Sequence, residues 1–446
     1  MELKKYKLAD IGKVITGKTP STSIAENYAC GTIPFYTPED VAKGVGMMGR
    51  NNRFITQTGF EEIASNTITG ESVLVGCIGS DMGNVAYSNI TCATNQQINS
   101  ITQFINGVEP LYVYYLLSTM KPYFQKIAGS TTTPILPKSV FEEIEIHLPN
   151  INIQKDVVSI LYALDHKIEL NKQINDNLEE MAKQLYAYWF VQFDFPNEEG
   201  KPYKTSGGAM VWNEKLKREI PEGWEVKQLR DIIETNRGIS YNTSSISGGG
   251  VPMINLASFN VDGSYKDTGL KSYNGNYTQE KILRPFDLVL CNTQQTAIEF
   301  SKDIIGKAFL IPDIFDGDIV SSHHINTIKT EEVLKPYLAY LSNTYHFHKY
   351  ATGCCSGTNI LGLDYNSFSQ YKLEIPPKFL LKEFRDFIIV IVKRKSLIIK
   401  ENKLLTKQRD ELLPLLMNGQ ASVNYHLSAS FLSSIILYRD QYKFMI

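Results

Sequence analysis

The chain has 446 residues, of which 43% are hydrophobic and 21% charged, the profile of a globular protein with room for two or three full cores. Its formal net charge of -2 gives no global sign of a polyanion partner, yet it excludes none, because local patches rather than totals steer nucleic acid. Six cysteines (Cys30, Cys77, Cys92, Cys291, Cys354, Cys355) form no Cys-x-x-Cys pair with His spacing, the start Met1-Glu-Leu-Lys-Lys-Tyr6 has no apolar leader, and the longest aliphatic run, Phe387 to Val392, is too short for a bilayer. A cytoplasmic protein with reduced thiols, no structural metal and no membrane span is therefore expected.

Residues 1–148 alternate short β-type runs (Val73-Leu-Val75, Ile98 to Phe104, Ile144-Glu-Ile146) with Gly, Pro, Asn and Thr turns. One helix is expected from Pro110 to Ile127, stopped by Gly129. Together these read as an α/β domain with large polar loops.

Within it, Gly12-Lys-Val-Ile-Thr-Gly17-Lys18-Thr19 fits the phosphate-loop expression GxxxxGK[ST], which taken alone suggests a nucleoside triphosphatase. That chemistry needs a buried strand before the loop and a helix starting at the lysine, so that amides converge on phosphate. Here the flanks are Lys4-Lys-Tyr-Lys-Leu-Ala-Asp10 and Pro20-Ser-Thr-Ser23, which suit neither.

From Val157 the apolar residues step alternately four and three: Leu161, Leu164, Ile168, Asn171, Asn175, Leu178, Ala182, Leu185, Trp189. This is a heptad seam on one long helix. Adding 227 to each number yields Phe384, Ile388, Ile391, Lys395, Ile398, Asn402, Leu405, Arg409, Leu412 and Leu416, a second seam in the same phase. Upstream, Phe141 to Pro149 matches Phe368 to Pro376, and Asn95-Gln-Gln-Ile-Asn-Ser-Ile101 matches Ser322-His-His-Ile-Asn-Thr-Ile328 at the same offset, while Leu8-Ala-Asp-Ile11 matches Leu229-Arg-Asp-Ile232 at 221.

The whole chain thus reads as a tandem duplication, each copy a globular domain followed by a long helix. In the second copy only Gly238 stands for Gly17; Gly12, Lys18 and Thr19 become Ile233, Ile239 and Ser240, which argues against a nucleotide site. If a pseudo-twofold relates the copies, the helices run antiparallel as a spacer about 50 Å long, with Asn175 and Asn402 near one another as buried amides that fix register. From Pro376 to Glu411 there are ten Lys or Arg against five Asp or Glu, and from Ile151 to Gln192 four against six, so the second helix is the basic one.

Between the first helix and the second domain lies a Pro/Gly-rich linker, Phe193 to Gly208. Tyr188-Trp-Phe-Val-Gln-Phe-Asp-Phe195, Ser206-Gly-Gly208, Ile220-Pro-Glu-Gly-Trp-Glu225 and the closing Arg409-Asp-Glu-Leu-Leu-Pro-Leu-Leu-Met-Asn-Gly419 resemble the specificity subunit of type I restriction-modification enzymes, over residues 1 to about 423. The resemblance implies two target-recognition domains (1–148 and 193–376) that read the halves of a bipartite double-stranded DNA target. It implies two spacer helices (149–192 and 377–420) that bind two copies of a modification subunit, an adenine methyltransferase. Restriction subunits carrying translocase and nuclease activity complete such a complex, and S-adenosylmethionine, ATP and Mg belong on the partner chains. The tail 421–446, with Phe431-Leu-Ser-Ser-Ile-Ile-Leu437, has no counterpart in that pattern.

The residues themselves agree with a non-catalytic chain. The sole Pro-Pro, Pro376-Pro377, is followed by Lys and lacks the Asn/Asp-Pro-Pro-aromatic form of an adenine methyltransferase. After Pro312-Asp313 the candidate Glu332-Val-Leu-Lys335 has the wrong spacing for a nuclease. His323 and His324 could ligate a metal, but adjacent side chains on a strand point to opposite faces, and Gln96 and Gln97 hold the equivalent place.

Asn and Gln can pair with adenine and Arg with guanine, while Ser, Thr, Lys and Tyr anchor phosphates. The base-reading candidates in domain one are Lys18, Thr19, Ser21, Thr22, Tyr36, Thr37, Arg50, Asn51, Arg53, Gln96 and Gln97. In domain two they are Arg237, Tyr241, Asn242, Asn255, Asn276, Tyr277, Asn292, Gln294, Gln295, His323 and His324. Any single one is more simply a turn-former, so the weight rests on the clusters. The competing readings are a phosphate-loop nucleotide-binding enzyme, a self-contained DNA methyltransferase, and a coiled-coil scaffold without DNA contact.

Overall fold

The computed structural model describes residues 2–42, 53–79, 82–128, 134–295 and 299–420. Arg50, Asn51 and the tail from Ala421 lie outside the described residues. The chain forms two compact units, one of Met1–Glu169 with the chain from Leu404, the other of Leu170–Lys403. The sequence reading cut the chain at the ends of the long helices. Compactness cuts it within them, because each half-helix buries its seam in the core of its own unit.

In the first unit, Lys4–Lys7 pairs antiparallel with Glu145–Leu148. A four-stranded antiparallel sheet follows in the order Lys13–Thr16, Ile98–Thr102, Ser72–Gly76, Val85–Ser88. A second sheet sets Ile33–Tyr36 parallel to Cys92–Thr94, flanked by Phe54–Ile55 and Thr67–Ile68. Ser72–Gly76 is buried on both faces: Val73 and Val75 join the core that includes the long helices, and Leu74 joins a separate cluster with Tyr36, Val41 and Ile68. The two-residue period of a strand makes that division possible.

The second unit repeats this plan. Glu225–Gln228 pairs with Lys372–Ile375, and the four-stranded sheet runs Glu234–Arg237, Ile325–Lys329, Leu288–Cys291, Ala308–Leu310. Ile246–Ile254 lies parallel to Val320–Ser321, and Leu288 and Leu290 face one core while Val289 and Cys291 face another. This unit adds a three-stranded sheet, Thr293–Gln295, Ile360–Leu363 and Cys355–Ser356.

The helix expected from Pro110 to Ile127 is two, Pro110–Thr119 and Lys121–Ile127. Pro122 has no N–H and its ring would clash with the carbonyl four residues back, so the chain breaks at Met120 and restarts with the proline in its first turn. The strand expected to reach Phe104 ends at Thr102, and the last strand of the unit is Glu145–Leu148, shifted by a residue from the expected run.

The long helices are Ile151–Tyr186 and Lys378–Met417. Asn150 Oδ1 accepts from the Ile153 N–H and closes the start of the first. Its end passes into a π-turn, Ala187–Val191, that places Trp189 and Phe190 in the second unit's core with Phe193, Phe195, Trp224, Tyr337 and Phe384. The aromatic run from Tyr188 to Phe195 is thus an anchor of packed rings: Phe190 meets Tyr337 edge-on at 5.0 Å and Phe193 meets Trp224 edge-on at 5.4 Å.

Within the second unit, Asn171 Nδ2 donates to Asn402 Oδ1 at 2.8 Å and to Glu401 at 2.7 Å, and Lys395 meets Glu179 at 2.5 Å. Partner numbers fall as residue numbers rise, so the helices are antiparallel there. Within the first unit Arg409 meets Asp165 at 2.9 Å, and the Tyr115 hydroxyl donates to the same carboxylate at 2.8 Å. The register expected for the amides is corrected: Asn402 faces Asn171 rather than Asn175, whose Oδ1 is buried without a protein partner. Duplication makes Asn175 and Asn402 equivalents in sequence, which does not by itself make them neighbours in space.

Candidate nucleic-acid interface

The two units build one feature in the same way. A loop leaving the first strand of the four-stranded sheet meets the turn that joins the parallel strand to its neighbour. Gly17 N–H donates to Ile98 O at 3.0 Å, and Gly238 N–H donates to Ile325 O at 2.9 Å. A methyl group on Gly17 would overlap the Thr94 and Asn95 carbonyls, and one on Gly238 those of Ser321 and Ser322. The glycine shared by the copies is therefore a close backbone approach. The phosphate-loop expression falls on strand Lys13–Thr16 and the loop after it, and no helix starts at Lys18.

In the first unit, Thr19 Oγ1 donates to Gln96 Oε1 at 2.9 Å, so these two candidates meet, with Lys18 exposed beside them. Gln97 is turned inward: Asn95 Oδ1 accepts from its N–H and Asn95 Nδ2 donates to its Oε1. Ser21 donates its N–H to Glu62 and shares a hydroxyl bond with Ser23, and Thr22 is exposed. Tyr36 is in the core, with burial pushing its hydroxyl up to about 12, so it offers no edge to a base. Arg53 forks onto Asp40 at 3.1 Å and Glu39 at 3.2 Å and donates to Thr37 Oγ1 at 2.9 Å. Its charge is matched by carboxylates before any phosphate arrives.

The second unit gathers more of its candidates. His323 and His324 occupy the turn between Val320–Ser321 and Ile325–Lys329, and their ring centroids are 3.9 Å apart. The expectation that they sit on a strand and point to opposite faces is corrected, because a turn has no two-residue alternation. The turn is held at three points. His323 N–H donates to Ile239 O, and the His323 carbonyl accepts from Arg237 Nε at 2.9 Å and from Asn292 Nδ2 at 3.2 Å. Tyr241 lies 5.7 Å from the His323 ring, and Lys271 Nζ sits over Tyr241 while donating to its hydroxyl at 3.2 Å.

His324 Nδ1 shares a 2.8 Å hydrogen bond with Thr293 Oγ1. Its ordinary value of 6.5 is lowered, first by burial and then by His323, Arg237 and Lys271. The cluster thus sets two exposed cations, Arg237 and Lys271, around half-buried imidazoles.

The remaining candidates divide. Asn292 is buried and also donates to Asn326 Oδ1, so it positions the turn, and its own Oδ1 has no protein partner. Gln294 is buried and Gln295 exposed on the strand that continues from Thr293. Asn242 accepts from the Ser245 N–H as a cap. Tyr277 donates to Asp318 and packs in the same small cluster as Tyr241, and the Asn276 carbonyl accepts from Tyr273. Asn255 is buried, donates to Gly269 O and caps Leu256–Ser258, so it belongs to the frame.

Sequence reasoning missed Lys271 and Thr293. Thr293 stood next to two named candidates and could have been included. Lys271 comes from a strand opposite Met253, and no local signal marks it.

Among the described residues no group of three His, Cys, Asp or Glu side chains could hold a metal ion, no helix is long and apolar enough to cross a membrane, and the six thiols are free.

Residues 1–180 and 221–383 match the family described as Type I restriction modification DNA specificity domain. The chain is 28% identical over 423 residues to the type I restriction enzyme MjaIX specificity subunit of Methanocaldococcus jannaschii, covering 94% of this chain and 93% of that one. It is 24% identical over 372 residues to the HindI specificity subunit of Haemophilus influenzae, covering 71% and 78%. In fold it is similar to the crystal structure of a type I restriction-modification S subunit from M. genitalium, with a TM-score of 0.55 at 15% identity over 93% of this chain and 96% of that one. The family matches twice, once in each copy of the repeat, and the chain belongs to the type I restriction-modification specificity subunits.

Proposed function

We propose that this chain is the DNA-reading subunit of a type I restriction-modification complex, with each unit reading one half of a bipartite duplex target. One observation carries this reading: the same backbone frame appears twice, and at its equivalent turn one copy presents Thr19 with Gln96 and the other His323, His324, Tyr241, Arg237 and Lys271. A shared frame with different donors and acceptors is what two different half-sites require.

The long helices would dock two modification subunits. Their outward side chains include Leu170, Ile174 and Met181 on the first, and Val390 and Leu397 on the second, all well exposed in the second unit and spaced by four or seven residues. Apolar rows of this kind mark interaction surfaces. Methyl transfer, DNA translocation and cleavage would belong to the modification and restriction subunits, which would also hold S-adenosylmethionine, ATP and Mg.

The test is the methylome of cells that carry this chain with its modification subunit. One motif with two defined parts and an unspecified gap is expected. A single uninterrupted motif, or adenine methylation unaffected by deletion of this chain, would contradict the reading. Purified chain alone should neither hydrolyse ATP nor bind S-adenosylmethionine.

A further inference from the structure

The turn at His323 and His324 differs from its counterpart at Gln96 and Gln97 in one chemical respect: it can change its charge near neutral pH. We propose that the His323–His324 turn of the second unit is a proton-linked phosphate clamp, which takes up a proton as the DNA backbone docks against it, whereas the first unit docks without one. The inference rests on the DNA-reading function proposed above.

The geometry supplies the parts. The backbone of the turn is pinned by Arg237, Asn292 and the Ile239 carbonyl, and the His324 ring by Thr293, before DNA arrives. The charged and titratable groups facing it are cations or neutral donors: Arg237 from strand Glu234–Arg237, Lys271 from strand Lys271–Tyr273, and the Tyr241 hydroxyl that Lys271 bonds. Lys281 stands behind Arg237, donating to its carbonyl at 2.6 Å. Among the described residues, the charges acting on His324 are those of His323, Arg237 and Lys271, all of which disfavour a proton on the ring.

Free protein therefore keeps His324 neutral at a pH where an isolated imidazole would share a proton. A phosphate between Arg237, Lys271 and the imidazoles reverses the field, since an anion within a few ångströms favours the charged ring. Thr293 Oγ1, which can donate to Nδ1 of the neutral ring, can equally accept from the N–H of the charged one, so the proton does not break the internal bond.

The direction of the linkage follows. The ring binds more protons in the complex than in the free chain, so affinity rises as pH falls through the value of the complexed ring, and the gain is complete below the value of the free ring, itself under 6.5. One proton makes the slope at most about tenfold per pH unit.

The experiment uses the full-length chain and a long mixed-sequence DNA duplex, because a phosphate contact is independent of sequence. Affinity is measured at fixed salt from about pH 5.5 to about pH 8, and the salt dependence at both ends. The wild-type chain should bind more tightly at the acid end, with a salt slope steeper there by about 0.9, the contribution of one more phosphate. The His323→Gln/His324→Gln double variant, which copies the first unit, should lose both the pH slope and the added salt slope, whatever its affinity at the alkaline end. Lys271→Gln, which leaves the histidines intact, should move the midpoint to higher pH by removing a cation that opposes the proton. A wild-type affinity that does not change with pH, a double variant with the wild-type slope, or an unmoved midpoint in Lys271→Gln would each overturn the clamp. Absence of duplex binding at every pH would instead remove the DNA-reading function on which it rests.

Discussion

The two units use the same backbone and hold their helices together by different chemistry. Adding 227 to Asp165 gives Val392, and subtracting it from Arg409 gives Ala182. The ion pair of the first unit thus corresponds to an alanine at 0% exposure and a half-buried valine in the core of the second. In the second unit the polar pairings are Asn171 with Asn402 and Glu179 with Lys395; the first unit's equivalents of the latter two are Thr406 and Ile168, side chains that cannot form an ion pair. The close approaches at Gly17 and Gly238, by contrast, are duplicated atom for atom. Duplication preserves what backbone geometry demands. It lets diverge whatever only has to be satisfied locally, and the reading turns belong to that second class.

The largest effect should come from breaking a shared element. Gly17→Val and Gly238→Val each force a side chain into backbone carbonyls, and each should cost more than about 3 kcal/mol because the strand pairing must open. Urea denaturation should show the loss in the affected unit, while tryptophan fluorescence, reporting Trp189, Trp212 and Trp224 in the second unit, should change early only for Gly238→Val. Equal tryptophan transitions in the two variants would mean that the units fold as one.

A smaller loss is expected where the units differ. Arg409→Met leaves Asp165 with the Tyr115 hydroxyl as its remaining partner near the helix seam, and should cost about 1–3 kcal/mol, less than a fully buried pair because the arginine is 30% exposed. Restoring the apolar pattern of the second unit, with Asp165→Val and Arg409→Ala together, should recover part of that loss. Greater destabilisation by the double variant than by the single would show that the ion pair does more than fill the seam.

The smallest effect belongs to the amide pair. Asn402→Leu alone should cost about 1 kcal/mol, since it leaves Asn171 without one of its acceptors, and adding Asn171→Leu should bring stability back toward the starting value. A coupling near zero between the two substitutions would mean that Glu401 alone satisfies Asn171.

Much of the architecture was legible because its signals are periodic. The heptad seams, the offset of 227 and the aromatic run after Tyr188 placed both helices and the duplication, since burial of one helical face writes itself into spacing. What spacing does not encode is depth. Tyr36 and Asn255 carry base-reading chemistry but lie in the core, and Arg53 is matched by Asp40 and Glu39 from the helix Pro38–Ala42. The amide register differs for a related reason: equivalence in sequence between copies does not make two residues neighbours in space. Lys271 was invisible because strand pairing, not proximity in the chain, brings it over Tyr241.

The central claim is that two copies of one frame read two half-sites independently. The measurement that tests it most directly is the methylation motif of cells in which residues 1–148 are replaced by the corresponding segment of a related specificity subunit, with the helices and the second unit kept. One half of the motif should change while the other half and the gap stay as they were. A motif altered in both halves, or in neither, would contradict independent reading.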